Sequence, residues 1–274
     1  MMASNAIVHQ FNLPDFYVAA SVNNVRFRRR SNLCGLGFPS MKLSIVIPCY
    51  NEERTLAEIV AQVLATDIKG MDREVIIVDD CSGDRAPQIA AALAADHPEV
   101  KVLTHPENRG KSAALKTGFE SASGDIILVQ DADLEYDPAD YAALLVPFIE
   151  NGADVVYGSR FLAPDRTTFL GFTHFHGNRA LTMLSNVMNG LRLTDLSTCY
   201  KVFRRSVLDQ MTLEEEKFGF CPEFTAKAAR LKPKPEFIEI PVAYTSRSYA
   251  EGKKISWRHG LRAIYCIIRY SLFR

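Results

Sequence analysis

The run Asp125–Asp133, DIILVQDAD, sets the fold class. Its centre, IILV, is four aliphatic residues in a row. A run so apolar and so short suits a strand covered on both faces, not one alternating between core and water. It ends in two carboxylates two residues apart. The same plan recurs upstream. Leu43–Pro48 (LSIVIP) is rich in β-branched residues and leads into Cys49-Tyr50-Asn51-Glu52-Glu53, while Glu74–Asp80 (EVIIVDD) ends in a second carboxylate pair. VKVLTH (Val100–His105) and ADVVYG (Ala153–Gly158) read as the third and fifth strands. Between the strands, Thr55–Leu64, residues 86–95, Lys111–Ala122 and Pro138–Glu150 have the apolar spacing of helices, and Pro138 suits a first turn. Strands alternating with helices at this interval predict βαβ units and an α/β fold with a mostly parallel central sheet flanked by helices.

Ligands of such sheets bind beyond the carboxyl ends of the strands. Asn51, Asp79, Asp80, Asp131 and Asp133 all follow strand ends, so one rim collects the polar groups. Asp131 and Asp133 can converge on a hard cation, Mg²⁺ or Mn²⁺, which favours oxygen ligands and bridges to substrate phosphates. A carboxylate at Asp79 or Asp80 can accept hydrogen bonds from a nucleotide base or ribose. Tyr50 can stack on a base, while Asn51 either caps the following helix or leaves its amides to an anion. In Asn108-Arg109-Gly110-Lys111, Gly110 permits close backbone approach, and Arg109 and Lys111 can neutralise phosphate. No GxGxxG and no GxxxxGK[ST] is present, which excludes the standard dinucleotide fold and the P-loop class.

Taken in order, these motifs resemble the family 2 inverting glycosyltransferases of the GT-A fold. The matching residues are IVIPCYNE (45–52), VDD (78–80), NRGKSAAL (108–115), DADLEYDP (131–138), GSRF (158–161), Asn178, TDLSTCYKVFR (194–204) and Pro222-Glu223. The resemblance runs from Met41 to Arg274 and is strongest to the polyprenyl-phosphate sugar transferases, the dolichyl-phosphate mannosyltransferase-like group. It implies that Pro48, Tyr50, Glu52, Asp79, Asp80, Lys111 and Asp131 hold the nucleotide. Asp131 and Asp133 would hold the metal on the diphosphate. Arg160, with Arg179 and His174, would meet the acceptor phosphate, and Asp133, Arg160 and Asp195 would carry catalysis. The implied reaction moves one sugar from a nucleotide-diphosphate sugar, GDP-mannose or UDP-glucose, to a dolichyl or undecaprenyl phosphate. An ionised phosphate is already a nucleophile. A glycan hydroxyl acceptor, the alternative, would need a carboxylate base, for which Asp195 is the candidate. A catalytically silent nucleotide-binding protein at the membrane is the reading from another class. The QxxRW motif of processive synthases is absent, which favours single transfer. Glu135 stands where many mannosyltransferases of the group have Gln, so the sugar stays open.

Lys plus Arg and Asp plus Glu are 32 each, a formal net charge of zero, unlike a strongly basic nucleic-acid binder. The distribution is uneven. Residues 1–40 hold four Arg against one Asp, and residues 247–274 hold seven Lys/Arg against one Glu, leaving 21 basic and 30 acidic residues between them. Residues 1–40 read as an unstructured extension, with Met41 as an alternative start; their Arg content also fits a transit peptide. Residues 41–250 read as the catalytic domain and 251–274 as a basic amphipathic helix. At about 100° per residue, Arg258, Arg262 and Arg269 fall within about 40° of one another, while Trp257, Leu261, Ile264, Ile267, Ile268 and Leu272 share another arc. This helix is expected to lie on an anionic membrane, each basic residue contributing ~1 kcal/mol. Arg247 and Lys254, just before it, are expected to bind phosphate. Phe169, Leu170, Phe172 and Phe175 are expected in a loop covering the acceptor site, with His174 and His176 in it. Leu181–Leu191 reads as a helix stripe facing the core, and His259 as interfacial. No apolar run approaches the ~18–20 residues of a membrane span. The six scattered cysteines, with no CxxC pair, point to free thiols in a reducing compartment. A cytoplasmic protein peripherally bound to the membrane is the resulting expectation.

Overall fold

The computed structural model describes residues 41–163, 165, 167–168, 171–247 and 257–273, with backbone alone for 171–174 and 257–258. The extension 1–40, Phe169, Leu170 and Lys254 lie outside the described residues, as does the side chain of His174.

Apolar runs become the inner strands of one sheet. Strand β1 (Lys42–Cys49) pairs in parallel with β2 (Asp72–Asp79) on one side and β4 (Ile126–Val129) on the other, and β3 (Val100–Thr104) adds to β2. Leu43, Ile45, Val46 and Ile47 are all buried because helices cover both faces. The full order is β3-β2-β1-β4-β7-β5-β8, with β7 (Lys201–Arg204) antiparallel between β4 and β5 (Val155–Ser159), and β8 (Phe237–Pro241) parallel at the edge. A two-residue pair, β6 (Thr167–Thr168) with β9 (Tyr244–Thr245), lies apart. The mostly parallel sheet is as expected. The strands β7 and β8 carry no periodic signal of their own.

The helices are α1 (Leu56–Ala65), α2 (Ala86–Asp96), α3 (Lys111–Ser121), α4 (Tyr141–Val146), α5 (Gly171–Asn189), α6 (Arg205–Leu208), α7 (Phe220–Ala229) and α8 (Trp257–Leu272). The helix expected over Pro138–Glu150 is divided. A 3₁₀ turn covers Pro138–Asp140, and after α4 a π turn covers Pro147–Asn151. Pro147 has no N–H to give the preceding turn, so the spacing widens at that point.

The Leu181–Leu191 stripe faces the core only in part: Leu191 packs against it, and Leu181, Leu184 and Met188 are half-buried. In α5, Thr182 and Ser185 are buried, whereas Met183 is 69% and Val187 79% exposed. Residues 171–175 do not form the expected covering loop, since they open α5; Phe175 lies edge-on to Phe161 with centroids 5.2 Å apart. Helix α8 packs on α7 and α5 through Cys266, Ile267 and Tyr270. Two of its arginines reach the domain: Arg262 binds Glu215 and Arg269 binds Glu214, at 2.8 and 3.1 Å. Its exposed side carries a set of aliphatics, Leu261 56% and Leu272 60% exposed beside Ile264, Ile268 and Phe273, next to the half-exposed Arg262 and Arg269. None of the described cysteines forms a disulfide, and no helix among the described residues is long and apolar enough to cross a membrane.

Candidate active site

Register places the site. Cys49 of β1 pairs level with Asp79 of β2, and Val46 with Val129, so β4 stops three residues short of its neighbour. The chain after Val129 is therefore free to turn across the sheet's end. Gln130 anchors that turn. Its Oε1 accepts from Tyr141 and Tyr200 hydroxyls at 2.7 and 3.0 Å, and its Nε2 donates to the Asp131 carbonyl at 3.0 Å. Asp131 and Asp133 are thereby presented to a cleft of about 350 Å³, which Pro48, Tyr50, Glu52, Asp80, Lys111, Glu135 and Arg247 also line.

Each carboxylate of the pair is held by a cation. Lys111 Nζ bonds Asp131 Oδ1. Desolvation in the cleft opposes both charges, yet their attraction prevails, holding Lys111 well above the usual ammonium range and Asp131 below the usual carboxylate range. Arg247 Nη2 bonds Asp133 Oδ2 at 2.5 Å, its Nη1 bonds Glu52 at 3.0 Å, and its backbone N–H donates to Glu135 at 2.8 Å. Burial, then repulsion from Asp131 and Glu135, pushes the Asp133 carboxyl up to about 7 despite Arg247. Four carboxylates crowded into one desolvated cleft form a hard-oxygen donor set suited to Mg²⁺ or Mn²⁺. Among the described residues no three metal-binding side chains already converge.

The turns around the cleft are stitched to each other. Asn51, at φ 53°, accepts from Gly83 N–H at 2.8 Å and donates its own N–H to Ser82 at 2.9 Å. It does not cap α1, whose N-cap is Thr55. Asp80 is turned inward. Its oxygens accept from Arg109 and Gly110 N–H at 2.9 and 2.7 Å and meet His105 Nδ1 at 2.7 Å, while His105 Nε2 reaches Thr117 at 2.9 Å. Gly110 is required there: its φ is +98°, and a Cβ would sit 2.7 Å from Lys217 Cα. The first amides of α3 are already used, Ser112 and Ala113 N–H donating to Lys217 and Glu216 carbonyls at 2.9 and 2.8 Å. Asp79 does not line the cleft. It is 1% exposed, takes Ser82 N–H on Oδ2 at 3.2 Å, and leaves Oδ1 buried without a partner.

Arg160 and Asp195 form a second cluster. Arg160 Nε and Nη2 grip Asp195 at 2.7 and 2.8 Å, and Asp195 is fully buried. One tyrosine joins the clusters: Arg160 lies 4.9 Å over the Tyr244 ring, whose hydroxyl donates to Glu135 at 2.9 Å. Arg179 is exposed on α5, 5.4 Å over Phe161. Sequence reasoning placed Arg247 with the tail, whereas it lies on Asp133. It also overlooked His105, Phe218 and the place of His259 in the cleft wall. Only HPENRGK (105–111) held a local signal, a histidine beside the glycine turn.

A family model, glycosyl transferase family 2, matches residues 44–212. The chain is 29% identical to the dolichol-phosphate mannosyltransferase of Pyrococcus furiosus over 236 residues, 84% of this chain and 65% of that protein. It is 33% identical to the undecaprenyl-phosphate 4-deoxy-4-formamido-L-arabinose transferase of Erwinia tasmaniensis over 215 residues, 77% of this chain and 62% of that one. The chain thus spans less than two thirds of the length of these relatives. Glucosyl-3-phosphoglycerate synthase from Mycobacterium tuberculosis, solved with Mn²⁺, uridine diphosphate and phosphoglyceric acid, shares the fold at TM-score 0.65 and 17% identity, over 85% of this chain and 80% of that one.

Proposed function

The chain belongs to glycosyl transferase family 2, and we propose that it moves one sugar, with inversion, from a nucleotide-diphosphate sugar to a polyprenyl phosphate at a membrane surface. The observation carrying this reading is the cleft in which Asp131 and Asp133 lie side by side, each under a basic residue able to turn to a diphosphate. The names of the two relatives, both lipid-phosphate sugar transferases, support the acceptor class. The Mn²⁺ and uridine diphosphate of the solved synthase support the metal and donor class.

Tyr50, on the cleft wall, stacks on the base. Asp80 shapes the Asn108–Gly110 turn around the nucleotide. Asp131 and Asp133, with Glu52 and Glu135 beside them, hold a divalent cation, which when bound neutralises charge on the leaving diphosphate. Lys111 and Arg247 exchange carboxylate for phosphate oxygens as the donor enters. Arg160, oriented by Asp195, and Arg179 hold the acceptor phosphate in line with the anomeric carbon. The phosphate oxygen attacks as the diphosphate leaves, so no proton need be removed. Asp195 makes a poor base for a hydroxyl acceptor, because both its oxygens are bound to Arg160. The exposed aliphatics of α8, Leu261, Ile264, Ile268 and Leu272, suit the bilayer in which a polyprenyl chain is dissolved. The test is incubation with a panel of nucleotide sugars, undecaprenyl phosphate and Mg²⁺ or Mn²⁺. A lipid product heavier by one sugar is expected; donor consumption only with a soluble glycan acceptor would refute the acceptor class.

A further inference from the structure

The cleft has a wall that neither base nor diphosphate accounts for. Phe218, from the loop before α7, and His259, from the first turns of α8, both line it, with ring centroids 4.2 Å apart and planes tilted by 49°. Both are fixed from behind. The Ser112 hydroxyl accepts from Gly219 and Phe220 N–H at 3.2 and 3.0 Å, tying the Phe218 loop to the start of α3. Arg262 grips Glu215 through Nε and Nη2 at 3.0 and 2.8 Å, and the Tyr270 hydroxyl donates to Glu215 at 2.9 Å. One acidic residue thus sets α8 against the loop that carries Phe218. The pair stands beside the turn of α3 whose Lys111 reaches Asp131.

We propose that Phe218 and His259 form the contact surface for the transferred sugar, so that α8 completes the donor site. This rests on the nucleotide-sugar reading above. A sugar presents C–H faces and hydroxyls. Phe218 offers a ring face to the first, and an uncharged imidazole offers the second one donor and one acceptor. Burial holds His259 below the usual imidazole value, which favours that neutral form. Neither residue then brings the positive charge that a phosphate would demand, whereas Lys111 and Arg247 do.

The test uses the full chain, its His259→Ala, His259→Asn and Phe218→Leu variants, and calorimetry with Mn²⁺. The probes are GDP, UDP, GDP-mannose and UDP-glucose. The sugar should add affinity in the wild type. In His259→Ala that increment should fall about 3- to 10-fold, with diphosphate affinity within about twofold, and His259→Asn should recover part of it. Phe218→Leu should cut the same increment. Equal losses for diphosphates and sugar nucleotides, no loss in any variant, or a wild type to which the sugar adds nothing would overturn the assignment alone. A wild type that binds none of the four ligands would overturn the donor reading and the assignment with it.

Discussion

Replacing Asp133 with Asn should make the metal-free protein more stable, most of all at high pH. The folded protein keeps the Asp133 proton to about pH 7, against an ordinary 3.8, because burial and the neighbouring Asp131 and Glu135 oppose its charge. The unfolded chain loses that proton first. The penalty therefore begins as pH rises past the lower value and is complete above the upper one. Across the interval it amounts to about 4 kcal/mol at pH 8 and between about 1 and 2 kcal/mol at pH 5. Asn, which stays neutral at every pH, removes this penalty, and the attraction of Arg247 for the carboxylate is already counted within it. The gain is therefore about 4 kcal/mol at pH 8 and between about 1 and 2 kcal/mol at pH 5, so the Tm rise should be two to three times larger at the higher pH, at about 2–4 °C per kcal/mol for a domain of this size. Thermal melts at both pH values without metal measure this. Mn²⁺ should then raise the wild-type Tm and leave the variant's nearly unchanged. A variant less stable than wild type at pH 8, or a gain equal at both pH values, would refute the reasoning.

Arg160→Lys keeps the buried charge but loses the fork that Asp195 orients, so KM for undecaprenyl phosphate should rise at least about tenfold while donor KM stays nearly constant. Asp80→Asn weakens the acceptor of the Arg109 and Gly110 amides; diphosphate affinity measured by calorimetry should drop about 10-fold, reflecting a looser turn around the nucleotide. Leu261→Asp with Ile268→Asp removes two exposed aliphatic side chains, each worth roughly 1.5–3 kcal/mol when buried in lipid. Flotation with anionic vesicles should fall at least about 100-fold, and the melting temperature should hold because both side chains face outward. Unchanged flotation would remove the bilayer from that face.

The parts legible in the sequence are those with short-range causes. IILV and VIIV announce buried strands because a parallel strand covered on both faces must be apolar throughout. The carboxylates that follow them fall on one rim because every parallel strand ends at the same edge. What stayed hidden has long-range causes. Lys201–Arg204 is too short to show a period, and it becomes a strand only because β4 and β5 leave a gap of one strand's width between them. Arg247 is 114 residues from the Asp133 that it covers, and no local pattern links them. In α8 the wheel sets Arg262 and Arg269 apart from Leu261, Ile264 and Ile268, yet a wheel has no knowledge of Glu214 and Glu215, which bind those two arginines.

The neutral sum of charges follows the same division. Composition and order of residues settle an α/β sheet with an acidic rim and a chain end rich in base, because strand burial and rim position depend on neighbours a few residues away. Which cation meets which carboxylate, and which face of the last helix is left to the outside, is decided only when the chain is folded. Those choices depend on distances through space among side chains up to 195 residues apart in sequence, as Arg247 and Glu52 are. Electrostatic energy depends on separation in space and on the loss of water at closure, and neither quantity exists in the sequence before the sheet assembles.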